Sequence, residues 1–211
     1  MITARVTESL LSQKFICPHS DREGYVALND EKNRIKIAST LSDLNRVLKQ
    51  TSRGGAYYAA YKSVNGSNKA TLRRTLQDCH ELIRPVVGFI ALVSEAQQAD
   101  SVLGSGAILT QEKVITQINS SQSLQGRLDK VCRLPKVKQR KHLETTQEKV
   151  EQVFEFLKRN SLVALSNKER GEFTVTGKMD FMYELIEYID NRENIVEQMA
   201  EQKDAQQELG V

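Results

Sequence analysis

The chain offers few residues for catalysis or metal binding, because its 211 residues include three histidines and three cysteines. Cys17 lies two residues before His19, and Cys79 immediately precedes His80. Cysteine sulfur and histidine nitrogen are common zinc ligands, so these four side chains are the candidate metal ligands. Their spacing does not match that of short zinc modules, and adjacent residues on a helix point in different directions. We therefore predict ordinary helix and loop roles for them and no bound metal.

Phosphate chemistry would require a glycine-rich turn followed by a lysine, and the sequence has no G-x-x-x-x-G-K-[ST] motif. The nearest stretch, Gly104-Ser105-Gly106, lacks a third glycine and a preceding strand, which indicates a linker. Glu184 and Glu187 could hold a cation three residues apart on a helix, but a solvated acidic face is the simpler interpretation. The sequence thus predicts a protein that is not an enzyme and has no cofactor.

The cysteines and the N-terminus bear on the compartment. Cys17, Cys79 and Cys132 are widely spaced, and charged residues interrupt the apolar positions at the N-terminus, so no secretion signal is predicted. A reduced cytoplasmic setting is expected. The most apolar run, residues 85–93, is well below the roughly 20 residues that cross a bilayer, so no membrane insertion is expected.

Apolar periodicity predicts the elements of the first half. The proline ring at residue 85 removes a backbone donor, so it should kink or split the helix that contains it. The predicted elements are a short helix near residues 10–15, a strand or loop at 24–29, a helix over 31–49 with a potential break at 39–40, a strand at 56–61 and a helix over 69–97.

The second half ends in the clearest pattern, because two β-prone runs, 162–165 and 172–175, flank a polar turn closed by Gly171. Three predicted helices precede this hairpin, and a fourth, capped by Thr176, follows it. Helices followed by a hairpin are typical of the winged helix. We predict a mainly α fold with short β-hairpins, organised as tandem winged-helix domains. The predicted divisions are an N-terminal winged-helix-like domain at 1–100, a C-terminal winged-helix domain at 101–192 and an acidic polar tail at 193–211.

Charge is unevenly distributed despite a formal net charge of only +3. Residues 127–141 are strongly basic, and the chain is acidic from Asp180 onward. Clustered cations repel one another and attract polyanions, so the basic stretch predicts DNA contact. The wing turn can also reach phosphates, and a lesser basic patch precedes residue 75. The candidate DNA-binding residues are Arg73, Arg74, Arg127, Lys130, Lys136, Lys138, Arg140, Lys141, Lys168 and Arg170.

Several stretches occur together in an order found in a known family. They are Arg53-Gly54-Gly55-Ala56-Tyr57-Tyr58, Ser105-Gly106-Ala107-Ile108-Leu109, Ser123-Leu124-Gln125-Gly126-Arg127-Leu128 and residues 173–184, FTVTGKMDFMYE. With these motifs the chain resembles the MukE and MksE proteins, the kite subunits of bacterial SMC complexes, and the second subunit of the plasmid-restricting Wadjet systems. The motifs span most of the chain and are structural patterns, not catalytic signatures.

The resemblance implies a tandem winged-helix protein that dimerises through its N-terminal half and binds a kleisin subunit. The kleisin in turn closes an ATP-driven SMC ring around double-stranded DNA, so ATP chemistry would belong to the SMC partner. The resemblance assigns no kleisin-facing residues, and the C-terminal helix is a candidate. It leaves open whether the chain serves chromosome segregation or plasmid defence.

A stand-alone winged-helix transcription regulator is the alternative hypothesis, and an unrecognised enzyme is the third. A regulator needs a helix that presents Arg, Asn or Gln to base edges. The helix before the hairpin instead carries Glu148, Glu151 and Glu155, and no base-reading set is evident. We therefore expect any DNA binding to be sequence-independent and the protein to be nucleoid-associated.

Overall fold

The computed structural model describes residues 2–97, 103–138 and 143–192. Outside these ranges lie two candidate DNA-binding residues, Arg140 and Lys141, as well as residues 98–102 and the predicted tail. Helices predominate, and the mainly α fold with winged-helix-like modules is confirmed. The elements are α1 (Ile2–Leu11), α2 (Arg22–Asn29), α3 (Glu31–Asp43), β1 (Arg46–Gln50), β2 (Tyr57–Tyr61), α4 (Lys69–Gln97), β3 (Ile108–Thr110), α5 (Gln111–Asn119), α6 (Gln122–Cys132), α7 (Thr146–Arg159), β4 (Val163–Asn167), β5 (Glu172–Val175) and α8 (178–192).

The N-terminal module consists of α1 to α3 and the antiparallel hairpin β1–β2. Ile16 adds a single bridge to the hairpin by exchanging both backbone hydrogen bonds with Tyr57, at 2.9 and 2.8 Å. This order of elements is that of a winged helix: α1 comes first, then the bridging residue Ile16, then α2 and α3, and finally the hairpin β1–β2. Its core contains the buried residues Val6, Leu10, Ile16, Ala27, Leu28, Ile37, Leu41 and Tyr57.

Three sequence predictions for this module are wrong. The short helix predicted near residues 10–15 is instead α1, which begins at Ile2 and ends at Leu11. Residues 24–29 belong to helix α2, which begins because the Asp21 carboxylate accepts a hydrogen bond from the Gly24 N–H at 2.9 Å. The predicted helix over 31–49 ends at Asp43, and Asn45 then takes a left-handed conformation with φ of 56°. The following residues form β1 because they pair with β2, a long-range contact that periodicity does not reveal.

The C-terminal module combines a three-stranded antiparallel sheet of order β3-β5-β4 with helices α5 to α7. Helices α5 and α7 contact the sheet, and α6 packs against both of them. The predicted hairpin is confirmed, with Val163 opposite Val175 and Leu165 opposite Phe173. Helix α7 starts with a capping box, in which the Thr145 side chain accepts from the Glu148 N–H and Glu148 accepts from the Thr145 N–H. These are local signals, which explains why the sequence predicted them well.

Helix α4 runs unbroken from Lys69 to Gln97 with Pro85 inside it, so the predicted split at the proline is not observed. Its second half is held by burial, since Val86, Phe89 and Val93 are at most 1% exposed. These residues pack in the core of the C-terminal module. The domain boundary at residue 100 remains a prediction. The apolar face of residues 82–93, which precedes that boundary, belongs to the core of the C-terminal module.

Candidate functional site

Two of the predicted DNA-binding cations already have acidic partners on helix α4. The Arg127 guanidinium lies 3.0 Å from the Glu95 carboxylate, and the Lys136 ammonium lies 2.6 Å from that of Glu81. The hydrogen bond between Lys136 and Glu81 raises the pKa of the lysine and lowers the pKa of the glutamate. Both ion pairs join the basic stretch to α4. Because a carboxylate partly compensates the charge of each cation, these two residues attract a phosphate less strongly.

Lys130 and Lys138 differ from these two. Both are exposed, and neither forms an ion pair within residues 2–97, 103–138 and 143–192. The acid nearest in sequence to Lys130 is Asp129, whose carboxylate lies 2.8 Å from the Lys149 ammonium. Among the predicted DNA-binding residues of this basic stretch that the structure describes, Lys130 and Lys138 are therefore the most available to a polyanion.

The remaining candidates lie on two other elements. Lys168 and Arg170 are exposed at the turn between β4 and β5, where the Arg170 guanidinium lies 4.0 Å from Glu172. Arg73 and Arg74 are exposed in the first half of α4. The structure thus places the predicted DNA-binding residues it describes on the wing, on α4 and along α6 with the segment after it.

The helix before the wing, α7, carries exposed carboxylates along its first three turns and exposed cations only in its last turn. Gln147, Glu151 and Glu155 are exposed along it. The Gln147 amide donates to Glu151 at 3.0 Å, and Glu155 pairs with Lys158 at 3.1 Å. These carboxylates would be repelled by phosphates if α7 entered the major groove, so the geometry does not favour base readout by α7.

An aromatic cluster joins the two modules. The Phe15 ring stacks on Tyr58 at 5.3 Å between centroids, and both rings contact Phe181 of helix α8, at 4.9 and 5.3 Å. On the other faces of α8, Met179 and Met182 are fully buried in the C-terminal core. Helix α8, which the sequence offered as a partner-binding element, therefore links the modules through its first turns.

The loops beside this cluster approach closely at two glycines. A Cβ atom on Gly177 would lie 2.6 Å from the Ala56 Cβ and even closer to the Gly55 carbonyl, and one on Gly55 would clash with the Asp180 carboxylate. Asp180 accepts a hydrogen bond from the Ser105 N–H at 3.2 Å, and burial raises the pKa of its carboxyl. These contacts bring together three of the motifs that carry the family resemblance, at residues 53–58, 105–109 and 173–184.

A second contact of these loops involves the first residues of the β1–β2 turn. The Ser52 hydroxyl donates to Glu184 at 2.8 Å, and the Ser52 N–H donates to the same oxygen. The Arg53 guanidinium lies 5.3 Å from the Tyr183 ring centroid. Sequence reasoning singled out these stretches as motifs but did not identify them as surfaces that meet.

A groove of about 560 Å³ opens between β2, the first half of α4 and the C-terminal module. We call it the inter-module groove. Its aromatic and aliphatic walls carry three cations, Arg46, Lys136 and Lys178, against one acid, Asp78, among the described lining residues. The lining residues are Leu10, Gln13, Phe15, Arg46, Tyr58, Ala59, Ala60, Tyr61, Leu72, Thr75, Leu76, Asp78, Cys79, Leu82, Lys136, Asn160, Lys178 and Phe181.

Lys178 is the most enclosed cation of the groove. Its ammonium donates to the Asn160 carbonyl at 2.8 Å and lies 5.8 Å from the Phe15 ring centroid. Burial lowers the pKa of this lysine and raises the pKa of the Cys79 thiol nearby. No carboxylate of the described residues forms an ion pair with Lys178, so a carboxylate entering the groove would find an uncompensated positive charge.

Comparison with models of known protein families identifies the family of this chain. The family model described as "Condensin complex protein MksE" matches residues 2–187. The chain belongs to this MksE family. No curated protein matched the chain. The MksE match covers both modules, the contact between them and all residues that line the inter-module groove, and it ends within α8.

Membership in the MksE family identifies the chain as a subunit of a condensin-like SMC complex. None of the helices described in the structure has the length and apolar character to cross a membrane. The described ranges also contain no group of three or more His, Cys, Asp or Glu residues that could hold a metal ion.

Proposed function

We propose that this chain is a non-catalytic kite subunit that binds a kleisin and contacts DNA within an SMC complex. The MksE family match over both modules carries the proposal. The inter-module groove supports it, because an apolar channel with more cations than acids along its walls suits a polypeptide partner. The complex acts in chromosome organisation or in plasmid defence, in the cytoplasm at the nucleoid.

The N-terminal module supports a homodimer. Val26 on α2 and Ile35 on α3 are each 62% exposed, and Leu44 just after α3 is 51% exposed. Exposed apolar side chains that lie on one module are a common feature of protein interfaces. We infer that this module dimerises, which would place two inter-module grooves and two basic surfaces in one assembly.

Affinity purification of the tagged full-length chain from its own cells tests the proposal. We expect a kleisin and a coiled-coil SMC ATPase to be recovered from nuclease-treated lysate, so that DNA does not bridge the proteins. If neither protein is recovered, and a parallel purification from untreated lysate yields only promoter DNA, bound roughly 10³-fold more tightly than random DNA, the chain is instead a stand-alone regulator.

DNA contact is expected to depend on Lys130 and Lys138, for which the described part of the chain provides no ion-pair partner. Replacing Lys130 and Lys138 by Glu removes two phosphate contacts, so the log–log salt dependence of binding to a random duplex should flatten by about 1.8 per bound protomer. Fluorescence anisotropy at several salt concentrations measures this slope.

The matched control replaces Lys32 and Lys62, two exposed lysines of the N-terminal module, by Glu. It changes the net charge equally, so it should preserve the slope if the contact is local. Equal slopes for the Lys130/Lys138 variant and the unmodified chain would assign these two lysines to solvent or to a protein partner.

A further inference from the structure

Strand β2 has one edge paired with β1 and one edge that faces the inter-module groove. On the β1 side, the Lys62 N–H donates to Asn45 at 3.1 Å and the Ala56 carbonyl accepts from Thr51 at 2.9 Å. Tyr57 instead exchanges its bonds with Ile16, on the opposite side. Backbone groups in an antiparallel ladder alternate in direction along the strand.

This alternation directs the N–H and C=O groups of Ala59 and Tyr61 away from β1. The bridge on that side consists of Ile16 alone, so it stops before Ala59. Within the described residues, no hydrogen bond reaches the outward backbone groups of Ala59 or Tyr61. Both residues line the inter-module groove, so two donors and two acceptors of a strand edge are open there.

The walls around this edge suit the side chains of an extended chain, which alternate in direction. Leu72, Leu76 and Cys79 of α4 form one apolar wall, and Phe15 contributes a ring. One cation of the groove lies beside the open strand edge. The Arg46 guanidinium is 3.6 Å from the ring centroid of Tyr61, its partner in the β1–β2 pairing. Together with Lys178, it gives the groove a positive potential that favours a carboxylate.

We propose that the inter-module groove takes an extended segment of the protein partner as an added β-strand on β2. Backbone hydrogen bonds to Ala59 and Tyr61 hold the segment, as in other cases of strand addition. Its apolar side chains contact α4, and a carboxylate pairs with Lys178 or Arg46. This inference rests on the proposed function, in which the partner is the kleisin, and it adds the mode of binding.

Other occupants fit the groove less well. A phosphate backbone would lie against apolar walls formed by Leu72 and Leu76, where it would lose water without gaining hydrogen bonds. The chain's own residues 193–211 are acidic but rich in Gln, Glu and Ala, which are poorly suited to strands. A second copy of this chain that met the groove with its own groove, as a two-fold axis requires, would bring Arg46 and Lys178 against the same cations of the partner copy.

Residue-resolved hydrogen exchange on the full-length chain, free and bound to the kleisin recovered above, tests the proposal. Strand addition slows exchange of the Ala59 and Tyr61 amides by at least tenfold. The Tyr58 and Ala60 amides serve as internal controls, because they are already bonded to β1 and should change little. Exchange at Ala59 and Tyr61 that is equal in the free and bound states overturns strand addition.

The variant Ala59→Pro removes one edge donor while keeping a backbone angle that edge strands tolerate. We expect kleisin binding to weaken about tenfold, whereas Ala59→Ser, which keeps the N–H, binds as the unmodified chain does. If Ala59→Pro does not fold, the exchange measurement decides.

The two hypotheses fail in different ways. Unchanged kleisin affinity in a folded Ala59→Pro variant refutes strand addition and leaves the kite function standing. A chain that recovers no kleisin refutes both.

Discussion

Replacing Gly177 by Ala is expected to lower the free energy of unfolding by about 1–3 kcal/mol, the usual cost of overfilling a packed contact. The added Cβ would lie 2.6 Å from the Ala56 Cβ and closer still to the Gly55 carbonyl. Neither obstacle is the free end of a flexible side chain, so the loops that join the modules must separate. Thermal denaturation should show a decrease in Tm of roughly 2–4 °C for each kcal/mol.

Gly126 provides the matched control, because a Cβ there meets no atom within 4 Å. Gly126 lies inside α6, where Ala is favoured over Gly, so Gly126→Ala should stabilise the chain by roughly 0.5–1 kcal/mol. If both variants shift Tm in the same direction, the close approach at Gly177 does not constrain the modules.

Replacing Phe89 by Ala is expected to have the largest effect on stability, about 3–5 kcal/mol. The Phe89 ring is 1% exposed and meets Phe154 of α7 edge to face at 6.1 Å between centroids. Phe154 in turn contacts Phe173 of β5 at 4.9 Å. Removing the ring leaves a cavity where α4, α7 and the wing sheet converge, and chemical denaturation measures the loss.

The control for this variant lies two residues earlier on the same helix. Val87 is 44% exposed, so Val87→Ala should change the free energy of unfolding by no more than about 0.5 kcal/mol. A small effect of Phe89→Ala, similar to that of Val87→Ala, would contradict the assignment of the second half of α4 to the C-terminal core.

These two positions bear on function because they fix the walls of the inter-module groove. Gly177 lets the β1–β2 turn and the start of α8 meet, and Phe89 anchors the α4 segment that follows the groove. A groove between modules that moved freely would not hold Ala59 of β2 and Leu76 of α4 in a constant relation. Preorganised walls reduce the ordering cost of binding an extended peptide.

The sequence predicted best where local chemistry is sufficient. Helix α7 has its capping box, and β4 and β5 have a polar turn closed by Gly171, whose φ is 56°. It predicted poorly where neighbours in space decide. Val47 and Leu48 fit a helical period as well as a strand, and pairing with β2 makes them a strand. The cap at Asp21 that begins α2 is also a local signal, and it points to a helix where a strand or loop was predicted.

The candidate site divides in the same way. Composition alone located the basic residues 127–141, since charge is a property of residue type. Only the tertiary structure decided that Arg127 and Lys136 meet Glu95 and Glu81 of α4.

The sequence by itself determined the helices, the wing and the family motifs, because these depend on residues close together along the chain. Tertiary structure alone decided that the motif at 53–58 packs against the motif at 173–184, and that a groove with an open strand edge lies beside them. The reason is physical: contacts between distant segments depend on which faces are left after each module has buried its own core.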